Sequence, residues 1–89
     1  MKAIVTVVGK DRIGIIASVC SLLATYKVNI LDISQTIMQG YFTMMMAVDT
    51  SKSEIPFADL AKKLDVKGEE MGMSIRLQRE DIFDAMHKV

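Results

Sequence analysis

"VNILDISQTIMQGYFTMMMAV", residues 28–48, reads as two strands folded back on each other. Gln39-Gly40 supplies the turn, because a two-residue hairpin needs backbone angles that glycine adopts freely. After the turn, Phe42, Met44, Met46 and Val48 share one parity, and Tyr41, Thr43, Met45 and Ala47 share the other. That strand is apolar on both sides, as a central strand would be. Before the turn, Val28 and Ile30 lie on one parity, whereas Leu31, Ile33 and Ile37 lie on the other. A strand holds one face at a period of two, so the switch predicts a β-bulge near Ile30 and Leu31 that re-aims Asn29 or Asp32.

On the N-terminal side of the hairpin, residues 13–26 carry no charge. Ile13, Ile16, Ala17, Cys20, Leu23 and Ala24 recur at helical spacing, and Ile15, Val19 and Leu22 widen the stripe. Only Ser18, Ser21 and Thr25 form a polar strip. Two readings stay open: a wide core face, or a face that meets a partner. Further upstream, residues 2–8 are β-branched and apolar on both parities, a second central strand. "GKDRIG", residues 9–14, turns that strand into the helix.

On the C-terminal side, Ser53 is a candidate helix cap and Pro56 suits a first helical turn. Phe57, Leu60, Ala61, Leu64 and Met71 mark a second amphipathic helix, which Gly72 stops. Met73, Ile75 and Leu77 then alternate with Ser74, Arg76 and Gln78, an edge strand with one wet face. Residues 80–88, with Ile82, Phe83 and Met86 on one side, read as a short terminal helix.

The order β-α-β-β-α-β predicts an α+β, ferredoxin-like sandwich in one domain spanning residues 1–89. Its four-stranded antiparallel sheet has the order 4-1-3-2, with both helices on one face. Met45 and Tyr41 on the other face need a cover of their own.

Eleven basic and eleven acidic side chains cancel, so no overall field draws the chain to nucleic acid or an anionic membrane. The start "MKAIVTVV" is too short an apolar run for a signal peptide or a membrane span, so the expected location is cytoplasmic. A chain of 89 residues buries only about 60–65% of its unfolded surface. With 51% hydrophobic residues, the surplus is expected to end in a subunit interface.

Gly9 and Gly14 imitate the start of a phosphate-binding P-loop. Such a loop needs Lys and Ser/Thr directly after the second glycine, and Ile15-Ile16 stands there instead. RNA-binding domains of this topology stack bases on aromatic residues of strands 1 and 3; "AIVTVV" has none and Met44 to Met46 replace the later ones. Arg12 and Asn29 stand roughly where small acylphosphatases keep an Arg and an Asn, but the loop between the glycines is nothing like theirs. His87 is the only histidine, Cys20 lies on the apolar stripe, and Asp11 and Asp32 are too few for a metal. No catalytic residue, metal or cofactor is expected.

"GKDRIGIIASVCSLLATYKVNILDIS" followed by "GYFTMMMAVD" resembles an ACT domain. The pattern is an Asp-Arg-x-Gly turn, an apolar helix and an Asn-Ile pair opening strand 2. The flavour is that of glycine-cleavage repressor-like regulators and of the N-terminal part of formyltetrahydrofolate deformylases. The resemblance implies a non-catalytic regulatory module that self-associates and binds a small amino acid or similar metabolite between two subunits. It implies that Asp11, Arg12, Ile13 and Gly14 of one subunit face Asn29 and Ile30 of its neighbour. Asp11 and Arg12 would present side chains, Gly14 an open backbone, and Asn29 a carboxamide. A zwitterion needs amide donors for its carboxylate and acceptors for its ammonium, and such a site offers both.

Each residue also has an architectural reading: a positive φ or close packing for Gly14, a helix cap for Asp11, a bulge for Asn29. Ile13 stands where many ACT sequences have Pro, and Gly9 where serine-sensing members have His. A ligand-free module that regulates a partner protein is the alternative. Edge-to-edge pairing is favoured over face-to-face pairing because the first helix lacks charge.

Overall fold

The computed structural model describes residues 1–10 and 13–81. Asp11 and Arg12 lie outside the described residues, as does most of the predicted terminal helix, of which Glu80 and Asp81 are described and helical. The elements are β1 (Lys2–Lys10), α1 (Ile15–Thr25), β2 (Asn29–Met38), β3 (Tyr41–Asp49), α2 (Phe57–Met71) and β4 (Ser74–Arg79). All pairings are antiparallel and the sheet runs β2-β3-β1-β4, the expected ferredoxin-like order.

The hairpin forms as its sequence dictates. Gln39 and Gly40 have φ of 51° and 82°, the double positive φ that a tight hairpin of this hand requires. The register slips between Ile30 and Asp32, so Leu31 is the bulge and Asp32 joins Ala47 on the face away from the helices.

One face of the sheet carries the core. Ala3, Val5 and Val7 of β1 and Phe42, Met44, Met46 and Val48 of β3 are buried against Ile15, Val19 and Leu23 of α1 and Leu60 and Leu64 of α2. No polar side chain among the described residues is buried, so hydrophobic burial and dispersion hold this layer together. Each fully buried Leu or Val contributes about 1.5–3 kcal/mol.

Several expectations need correction. The central strands are apolar on both parities, yet among the described residues only one face is covered. Ser53 does not cap α2: Pro56 holds that position, and the Ser53 hydroxyl instead meets the backbone N–H of Ile55 at 3.4 Å. The N-cap position of α1 is held by Gly14, which has no side chain to cap with, and the capping reading of Asp11 lies outside the described residues. The core-facing set of α1 is Ile15, Val19 and Leu23, while Ile13, Ile16, Ala17 and Ala24 are exposed.

Candidate functional site

α1 has one buried face and two flanks. Leu22, Ser18 and Thr25 turn toward α2, where Leu22 meets Ile55, Val66 and Lys62 around a groove of about 560 Å3. The opposite flank carries Ile16, half-buried Cys20 and Ala24, and at its N-terminal end Ile16 borders Gln35 and Ile37 of β2. β2 is the sheet edge and is exposed along nearly its whole length: Leu31 is 47%, Ile33 41% and Ile37 57% accessible. Together the α1 flank and the β2 rim make a largely apolar strip, interrupted by Gln35, with one row of unpaired backbone groups.

Of the predicted site residues, Ile13 and Gly14 lie at one end of this strip and Asn29 and Ile30 at the other. Gly14 stands at the α1 N-terminus with φ 87°, and an added Cβ there would meet nothing within 4 Å. Backbone conformation, not crowding, demands glycine at this position. The first helical bond runs from the Ser18 N–H to the Gly14 carbonyl at 2.9 Å, which leaves the preceding amides of the turn without helical acceptors. The first turn holds no acidic residue to compete for them. Ile13 beside it is fully exposed.

Asn29 and Ile30 open β2 at the far end, opposite Asp49 and Val48. Asn29 is exposed and Ile30 half-buried. α1 separates the two ends by about 16 Å. A single chain therefore does not bring Gly14 and Asn29 together.

Sequence reading missed Gln35. It shares the helix-facing parity of β2 with Ile33 and Ile37, and with Gly14, Ile15, Ile16 and Phe42 it lines an open concavity of about 490 Å3 at the α1 N-terminus. The signal was present: a lone polar residue on an otherwise apolar parity.

At the Asn29 end, Asp49 is the one described group whose titration is clearly perturbed. The Ser51 hydroxyl donates to its Oδ1, the Ser51 N–H does so at 2.9 Å, and the Met1 ammonium adds a longer contact at 3.4 Å. These donors outweigh slight desolvation and hold the carboxyl at about 2 against an ordinary 3.8. Among the described residues no cluster of three metal-ligating side chains occurs, and no helix is long and apolar enough to cross a membrane.

A ferredoxin-like sheet with an exposed β2 rim is the frame of the ACT domain, generally a small regulatory, ligand-binding module. The chain belongs to the ACT domain family, whose model matches residues 2–78. It is 57% identical to a UPF0237 protein of Clostridium acetobutylicum over 89 residues, all of both chains. An ACT domain protein from Streptococcus pneumoniae superposes with a TM-score of 0.82 at 42% identity, covering 98% of each chain. A formyltetrahydrofolate deformylase from Pseudomonas syringae shares the fold at 22% identity with a TM-score of 0.79. That likeness covers 88% of this chain but 27% of the deformylase.

Proposed function

We propose that two copies of this chain pair along the α1 flank and the β2 rim, and that each junction binds a small amino acid or similar metabolite without chemical turnover. The observation that carries this reading is the apolar strip with Gly14 at one end and Asn29 at the other. A two-fold axis across the middle of the strip sets Gly14 of one copy against Asn29 of its mate, so a pair has two equivalent sites. The α1 N-terminus takes the ligand carboxylate through the amides of its first turn. Asn29 and Asp11 accept from the ammonium, and the side chains of Ile13, Ile30 and Gln35 border the ligand's own side chain. Arg12 lies in the same loop and adds a cation to the carboxylate end. Burying Ile16, Leu31, Ile33 and Ile37 supplies the association energy.

The test is the thermal midpoint at fixed protein concentration with each of the twenty amino acids in turn. A ligand at about 100 times its dissociation constant adds about 2.7 kcal/mol to the native state. For a chain of this size the midpoint then rises by about 10 °C or more. The expected result is a shift with one or two chemically related amino acids, lost in Asn29→Ala. No shift with any would replace this reading with a ligand-free module acting on a partner protein.

A further inference from the structure

The helix-free face of the sheet is divided by charge. Alternation places Lys2, Ile4, Thr6, Val8 and Lys10 of β1 on this face, and Arg76 of β4 opposite Thr6. Among the described strand residues, the three cations of this face therefore lie on the β1–β4 half. On the β2–β3 half the same face carries Asp32, opposite Ala47, and Asp49, opposite Lys2. Between the halves runs an uncharged centre in which Val8 is 43% and Met45 36% accessible. Among the described residues, Lys2, Lys10, Arg76 and Asp32 form no ion pair within the chain.

We infer that a second copy of this chain packs on the helix-free face, about a two-fold axis lying between the sheets and parallel to the strands. That axis exchanges left for right and keeps the level along the strands, so β1 lies over β3 of the mate and β4 over β2. The registers then set Lys2 over the mate's Asp49 level and Ile4 over that of Ala47. Arg76 falls over the level of Ser34, one side-chain step from Asp32. The other face-to-face axis, perpendicular to the strands, would set Arg76 against its own copy and Lys2 against Lys10. Like charges directly opposed cost several kcal/mol, so the charge pattern selects the first arrangement.

Size also fits. Four strands at the usual spacing and length present a face of about 19 Å by 30 Å. Over two copies this is about 1,000 Å2, the threshold for a specific interface. Aligned packing of two sheets at about 30° leaves room for Met45 and Ile4 to interdigitate at the centre.

The face contact and the edge contact use different surfaces, so their failures separate. Ile37→Lys places a charge in the edge contact and none on the face. Sedimentation of that variant is expected to show a dimer, held by the face alone. Adding Arg76→Asp should weaken this dimer by about tenfold or more. Adding Asp32→Arg to that variant should restore it, because the charges that face each other at these two positions are then reversed together. Three results would overturn the inference: a monomeric Ile37→Lys variant, a dimer indifferent to Arg76→Asp, or a double reversal that stays weak. If Ile37→Lys leaves the mass of the native protein unchanged, the edge contact is what fails, and the Arg76 and Asp32 variants still read the face.

Discussion

The Met73 N–H donates to the Gly68 carbonyl at 2.8 Å, and a Cβ added to Gly68 would lie 2.7 Å from the Met73 carbonyl oxygen. The last turns of α2 thus rest on the chain entering β4 at backbone distance. Gly68 has no positive φ; proximity alone excludes a side chain there. Gly68→Ala is expected to destabilise the protein by about 3 kcal/mol, the upper end for overpacking, because backbone cannot step aside as a flexible side chain would. Chemical denaturation measures it, and a loss below about 1 kcal/mol would mean that α2 slides freely on β4.

Gly14 presents the opposite case. Its surroundings are open but its φ is 87°. Gly14→Ala should cost about 1–2 kcal/mol from backbone strain alone. Gly14→Asn should cost less, since Asn tolerates the left-handed region. Equal costs for Ala and Asn would point to a lost contact instead of strain.

Asp49 governs the acid response of the sheet end near Asn29. Its folded pKa lies below its ordinary value, so its contribution is fully present above pH 3.8 and is lost as pH falls through about 2. The midpoint difference between the native protein and Asp49→Asn should therefore shrink between pH 5 and pH 2. A carboxyl NMR titration should place Asp49 near 2, and Ser51→Ala should move it back toward 3.8. A native value already near 3.8 would contradict the Ser51 hydrogen bonds.

Gln35 tests the ligand end of the edge. Gln35→Ala is expected to weaken amino-acid binding by about fivefold, the loss of one hydrogen bond to the ligand's side chain, with the sedimenting mass unchanged. Calorimetric titration with the amino acid found in the thermal screen gives the number. Unaltered affinity would place Gln35 outside the site.

Much of this architecture is legible in the sequence because single elements encode it. The hairpin follows from Gln39-Gly40 and a period of two, the bulge from a parity switch at Ile30, and the end of α2 from Gly72. Relations between elements are harder to read. Ile16 and Ile15 are equally apolar, and which of them faces the core depends on where the helix sits across the sheet. Gly68 looks like a flaw in a helix until β4 lies beneath it. Gly14 was legible as the residue that opens the helix. Its separation from Asn29 was not, because a spacing of fifteen residues fixes no distance until the helix between them is oriented.

The two edges of the sheet are guarded unequally. β4 ends the sheet with Arg76 and Arg79, charges that deter a stray strand from adding to it. Leu31, Ile33, Ile37 and Met38 line β2, which contains no proline and a single charge, Asp32 beside the bulge. Strands of that kind recruit other extended chains and seed aggregates unless something occupies them. In the pairing proposed above, the hazardous species is the folded but unmated copy. Dilution, which ordinarily protects a protein from aggregating, would here populate the form most prone to it.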